Sequence, residues 1–210
     1  MTWQSLNNLY SGKPGIIIGR GPSLDQWLEE GSPKPDDSVV IGINGACDVT
    51  PCDFSVSCDA DANSLVGINT KWVRGIPYIT NSIPIAPGKV EPGRETWELP
   101  SGIEELAFYH GEHDAPGRDS RIRQTRKHIE LFRRLYCSSS SMHPAIHFAW
   151  YLGCQKVMVV GMDGHGGRAK ATQHLPGKEP PPDHIYAKMR TESENLLNTL
   201  FPNAWVRYPN

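Results

Sequence analysis

No apolar run in this chain exceeds about five residues, far short of the ~20 that a membrane span requires. A transmembrane helix is therefore not expected. The opening stretch, MTWQSLNNLY, lacks a basic segment followed by an apolar one, so no secretory signal is expected either. Charge of one sign is also lacking: 21 Lys+Arg face 23 Asp+Glu, for a formal net charge of −2. That balance argues against a general nucleic-acid coat, whose footprint is basic. Cysteine is sparse, at 5 residues. Cys47, Cys52 and Cys58 cluster, but no CxxC pair occurs, and the nearest histidine in sequence is His110. The expectation is reduced, mostly buried thiols in a cytoplasmic protein, not a zinc site. There is no internal repeat. The GxxxxGK[ST] string of a P-loop is missing.

Glycine and proline are plentiful, at 20 and 18 of 210 residues, so long loops are expected. The length suits a single domain, residues 1–210, with a buried core. Short β-branched runs alternate with helical stretches. Strands are read at Gly15–Gly19, Ser38–Ile43, Phe54–Cys58, Pro77–Thr80, Lys156–Gly161 and Ala204–Tyr208. They are continuously apolar, as suits strands covered on both faces. Helices are read from a capping box at Ser23-Leu24-Asp25-Gln26, over Arg121–Leu135, over Pro144–Leu152 and over Ile185–Leu200. The alternation predicts an α/β fold: a Rossmann-like open, mostly parallel sheet flanked by helices, with a long irregular insertion. Two segments break the alternation, 82–120 (with a hairpin suggested at 97–109) and 164–183. Loops of that length suggest functional lids or disorder.

Candidate chemistry gathers where strands end, because ligands of open α/β sheets bind outside the carboxyl ends of the strands. The first strand runs into Gly19-Arg20-Gly21-Pro22-Ser23-Leu24. A glycine turn ahead of a helix lets backbone N–H groups approach a phosphate. The third glycine of the dinucleotide fingerprint is missing, and tight strand–helix turns use glycine anyway. Asn44 follows the second strand, and Asp163 the fifth. Asp59 and Asp61 form a D-x-D pair that can hold a hard divalent cation such as Mg²⁺ or Mn²⁺ on a diphosphate; the alternative is a turn or cap. His184 opens the last helix and is either a general base or a surface histidine. His110 and His113 have ligand spacing that often arises by accident. Arg118, Arg121, Arg123, Arg126, Lys127, Arg133 and Arg134 form a basic segment: a solvated face, or in part a contact to phosphates.

The string Ile16-Ile17-Ile18-Gly19-Arg20-Gly21-Pro22-Ser23-Leu24 resembles the G-x-G-P-S-L motif of a group with three branches. They are small bacterial sialyltransferases, Maf-type flagellin-modification proteins and MptE-like hydroxymethylpterin pyrophosphokinases. Asn44 follows in order, then Ser138–Ser141 ahead of a helix ending in Leu152-Gly153. Lys156–Asp163 then looks like the group's G-x-D block, and Val206–Asn210 its terminal strand. The resemblance covers most of residues 15–65 and 136–210.

The resemblance implies a nucleotide site. Gly19, Gly21, Pro22 and Ser23 would form the phosphate turn, with Arg20 in place of a common asparagine. Asn44 would contact the donor, Ser140 and Ser141 would line its pocket, and Asp163 would sit beside the nucleotide. His184 stands where the sialyltransferases carry their base, and backbone N–H groups near Gly21 would stabilise the departing phosphate. The tyrosines those enzymes use on the leaving group are missing after Asp163. Asp59-Ala60-Asp61 replaces an asparagine of metal-independent members and so points to a metal-dependent relative. The implied activity is a nucleotide-dependent transferase. The leading form is a glycosyltransferase moving a sugar from a CMP- or UDP-type donor to a hydroxyl acceptor. The alternatives are an MptE-like pyrophosphokinase using ATP and Mg²⁺, and a nucleotide-binding module without catalysis.

Overall fold

A computed structural model describes residues 2–57, 77–81, 104–108, 126–132, 135–137, 140–173 and 180–209. Seven strands form one sheet: β1 (Pro14–Ile18), β2 (Val39–Ile43), β3 (Phe54–Ser57), β4 (Pro77–Asn81), β5 (Glu104–Phe108), β6 (Lys156–Val160) and β7 (Trp205–Tyr208). Their spatial order is β5-β4-β3-β2-β1-β6-β7, and every pairing is parallel. The chain steps outward from β1 to β5, then returns to lay β6 on the other side of β1. The β1/β6 seam is thus the topological switch point, where open α/β sheets form their ligand crevice. Pairing runs from Pro14↔Lys156 to Ile18↔Val160, so the two strands end side by side.

Both faces of the sheet are covered, which is why its strands read as unbroken apolar runs. Alternate residues serve opposite faces. Ile17, Val39, Ile41, Ile43, Val157 and Val159 join one cluster, while Ile16, Ile18, Val40 and Val160 join the other. The first cluster packs against α1 (Trp3–Leu6), α3 (Arg126–Phe132), α4 (Met142–Tyr151) and α5 (Asp183–Leu200). The second packs against α2 (Ser23–Glu29) and a 3₁₀ turn at Asn44–Asp48. α4 is buried on nearly every side; Trp150 alone among its residues is partly exposed. Such a helix has no polar face, so its two histidines, His143 and His147, are interior residues.

Several expectations change. Residues 104–108 do not fold back in a hairpin: β5 adds to the sheet parallel to β4, so the 82–120 segment is in part a sheet element. The capping box at Ser23 does not form. The helix begins at Ser23 itself, after Pro22, and no side chain at the N-cap position closes it. The helix read over Arg121–Leu135 is described only as Arg126–Phe132. Arg126 donates from Nη2 to Trp150 O (2.8 Å), with its guanidinium 4.3 Å over the Trp150 ring, a structural use of that cation. No helix among the described residues is long and apolar enough to cross a membrane. Cys47, Cys52 and Cys154 are buried, Cys137 is partly exposed, and none of the four is in a disulfide. A hydrogen bond to Cys47, together with burial, pushes the Cys52 thiol well up.

Candidate functional site

The switch point is closed by direct contact between the two glycine loops. Gly19 N–H donates to Val160 O (2.8 Å) and Gly21 N–H to Gly161 O (3.1 Å). A Cβ on Gly19 would lie 2.6 Å from Gly161 O, and one on Gly21 would lie 2.3 Å from Asp163 Oδ2. Gly161 itself has φ +72, and a Cβ on it would lie 2.6 Å from Gly19 C. These glycines are needed for backbone-to-backbone packing.

Asp163 then takes the place at the head of α2. Its Oδ2 accepts the Ser23 N–H (3.1 Å) and the Ser23 hydroxyl (3.0 Å), while Ser23 Oγ accepts the Gly161 N–H (2.9 Å). A carboxylate supplied from the neighbouring strand does the work of the missing cap. Gly19, Gly21 and Ser23 are residues read above as the phosphate turn. Their N–H groups are donated to protein acceptors, and Pro22 has none.

A second corner of the site lies on the other face of the sheet. α4 runs antiparallel to the strands, so its N-terminus reaches their carboxyl edge. Ser141 Oγ donates to Asn44 Oδ1 (3.3 Å). Asn44, at φ +53, sits in the left-handed region that asparagine tolerates better than most residues. Ser140 Oγ accepts the Met142 N–H (3.1 Å), and Met142 Cε would touch a Gly19 Cβ at 3.2 Å. Gly19, Asn44, Ser140 and Ser141, distant in sequence, are therefore brought together.

The loop after β6 folds back over residues 20–25. Ala169 N–H donates to Arg20 O (2.7 Å), and Arg20 Nη2 donates to Thr172 O (2.8 Å). Asp25 accepts the N–H groups of Lys170 (2.7 Å) and Ala171 (2.9 Å), which head the 3₁₀ turn Lys170–Thr172. The start of α5 is clipped on as well: Gly166 N–H donates to Asp183 Oδ1 (3.2 Å), and Arg190 Nη1 donates to Asp163 O (3.0 Å). His184 follows Asp183 and is exposed.

Burial, and next to it the Arg168 guanidinium, pull the Arg20 pKa down to about 10; Asp48 acts in the opposite sense. Burial raises the Tyr186 phenol, against the pull of Arg168 and Arg20. Arg168 and Tyr186 carry no motif and escaped the sequence reading. The one signal was a glycine-rich string ending in arginine directly after the G-x-D block.

Asp59 and Asp61 lie outside the described residues, as do His110, His113, Arg118, Arg121, Arg123, Arg133 and Arg134. Among the described residues, no group of three or more His, Cys, Asp and Glu side chains is placed to hold a metal ion. No family model, no curated protein and no solved structure matches this chain.

Proposed function

We propose that this protein is a nucleotide-dependent transferase, in its leading form a sialyltransferase-like glycosyltransferase. The donor would be a CMP- or UDP-type sugar nucleotide and the acceptor a hydroxyl. One observation carries the reading: Gly19, Arg20 and Asp163 lie at the carboxyl ends of β1 and β6, and the Asn44–Ser141 pair lies along the same edge of the sheet, where such sheets bind nucleotides. The resemblance of the G-x-G-P-S-L and G-x-D strings supports the same site.

Asn44 and the start of α4 would take the nucleotide's polar groups, and Arg20 would meet its phosphates in place of the N–H groups near Gly21. Asp163 would hold the two loops together at the edge of the nucleotide. His184 would deprotonate the acceptor hydroxyl, from the helix start that Asp183 ties to Gly166. A nucleotide panel by thermal shift tests the reading. CMP or UDP should stabilise the protein, and a ligand at ~100 times its Kd adds ~2.7 kcal/mol. The matching sugar nucleotide should be hydrolysed slowly. His184→Ala should then lower kcat ~10²–10⁴-fold with donor Kd nearly unchanged.

The second reading, an MptE-like pyrophosphokinase, is favoured by Asp59-Ala60-Asp61 in place of an asparagine. It requires ATP binding that strengthens with Mg²⁺ or Mn²⁺, release of AMP, and loss of the metal dependence in Asp61→Asn. Nucleotide binding with no turnover of any donor would reduce the protein to a binding module.

A further inference from the structure

We infer that Cys47 and Cys52 form a dithiol modification site, which a hydroperoxide converts to a reversible disulfide. The inference goes beyond the transferase reading and does not depend on it. Gly42 is buried within β2, on the same face as Val40, and both cysteines belong to the apolar cluster on that face. Glycine inside a strand weakens it and marks a place where other atoms approach the backbone closely. Here those atoms are sulfurs: a Cβ on Gly42 would lie 2.4 Å from Cys47 Sγ and 2.8 Å from Cys52 Sγ. Two atoms so near one point are separated by at most the sum of those distances, about 5 Å. The absent side chain leaves the room in which both sulfurs sit together over the sheet.

Neither sulfur is anchored by a strong bond. Cys47 Sγ donates to Phe54 O at 3.8 Å and Cys52 Sγ to Thr50 O at 3.4 Å, both weak thiol contacts. Turning the side chains into the space over Gly42 brings the sulfurs toward the ~2.05 Å of a disulfide. Cys52 is the less buried, at 8% against 2%, and stands between exposed Pro51 and Asp53, so a small oxidant meets it first. Its thiolate attacks one oxygen of hydrogen peroxide, the O–O bond breaks, the other oxygen leaves as water, and a sulfenic acid remains. Cys47 Sγ then attacks Cys52 Sγ, the S–O bond breaks and a second water leaves. Two thiols and one peroxide give one disulfide and two waters, with two electrons passing from sulfur to oxygen. A hydrogen bond to Cys47, together with burial, pushes the Cys52 thiol up, so the first step is slow at neutral pH and faster in mild alkali. The product ties the 3₁₀ turn Asn44–Asp48 to the link ahead of β3.

The probe is hydrogen peroxide, added to the full chain at about pH 8.5, followed by blocking of the remaining thiols and digestion without reductant. A protease that cuts before aspartate puts Cys47, Cys52 and Cys58 on separate peptides, because Asp48, Asp53 and Asp59 follow them directly. The expected product is the Cys47 peptide joined to the Cys52 peptide, two hydrogens lighter than the separate pair, from a chain that keeps native circular dichroism. Dithiothreitol should restore both thiols. In Cys47→Ser the crosslink should be lost and Cys52 should stop as a sulfenic acid, trapped by dimedone. Both thiols intact after a free cysteine peptide in the same tube has oxidised overturns the site. So does pairing of either residue with another cysteine, oxidation of each alone to a sulfinic acid, or a crosslink that forms only in urea.

Discussion

Asp163 caps the helix that begins at Ser23, across 140 residues of sequence, through bonds of 3.1 Å to the Ser23 N–H and 3.0 Å to its hydroxyl. In a dinucleotide fold that helix start receives a pyrophosphate. Here the protein supplies its own anion. The first strand–turn–helix unit and the end of β6 are thereby locked together before any ligand arrives.

Removing that anion should be felt first as lost stability. Asp163→Ala leaves two donors without their acceptor at a helix start. A charged acceptor of this kind contributes about 1.5–3 kcal/mol, and a helix cap about 0.5–2. Urea unfolding should show a loss of about 2 kcal/mol without ligand. An unchanged midpoint would mean that the contact does not hold the loops.

Gly21→Ala should destabilise the unliganded fold. The added methyl would lie 2.3 Å from Asp163 Oδ2 and 2.7 Å from Gly161 O, so one loop must give way. Overpacking of this sort costs about 1–3 kcal/mol. Thermal unfolding of the free protein is the measurement. A variant as stable as wild type, impaired only in ligand binding, would return Gly21 to the role of a phosphate turn.

Acid should weaken the protein through His147. This side chain is fully buried in α4, where Nδ1 accepts the Tyr136 N–H at 2.7 Å, and burial pulls its pKa down to about 3. A histidine in the unfolded chain titrates near 6.5. Between those values the unfolded state takes up a proton that the folded state refuses. Its contribution is therefore present above about pH 6.5 and lost as pH falls toward 3, at up to ~1.4 kcal/mol per pH unit. His147→Gln should flatten the slope of unfolding free energy between pH 7 and 5 by up to one proton. Parallel slopes in the two proteins would locate the acid sensitivity elsewhere.

Tyr136 should report the same contact. Its N–H depends on the His147 ring, and Arg126 covers Trp150, which stacks on that ring at 5.7 Å. Amide exchange at Tyr136 should be slow at neutral pH and accelerate in His147→Ala, where a buried donor loses its partner. Equal protection in both proteins would refute the role given to Nδ1.

The core strands were legible because burial on both faces leaves continuous apolar runs such as Gly15–Ile18 and Lys156–Val160. Glycines at 19 and 21 marked the first loop, where a Cβ on either would lie 2.6–2.7 Å from Gly161 O. A sequence cannot distinguish a glycine that admits a phosphate from one that admits another backbone. Glu104–Phe108 escaped as a parallel strand because a short stretch flanked by charge and proline fits a hairpin equally well.

Composition, periodicity and strand-end residues by themselves determined that this chain builds an open α/β sheet with its polar groups at the carboxyl edge, since a side chain's place along a strand is a local property. Only the tertiary structure decided which polar groups meet. Arg20 finds Thr172, and Ser23 finds Asp163, because parallel pairing brings β6 back beside β1 after more than a hundred residues. Such contacts depend on strand order, and strand order is set by the packing of the whole sheet. No single stretch of sequence encodes it.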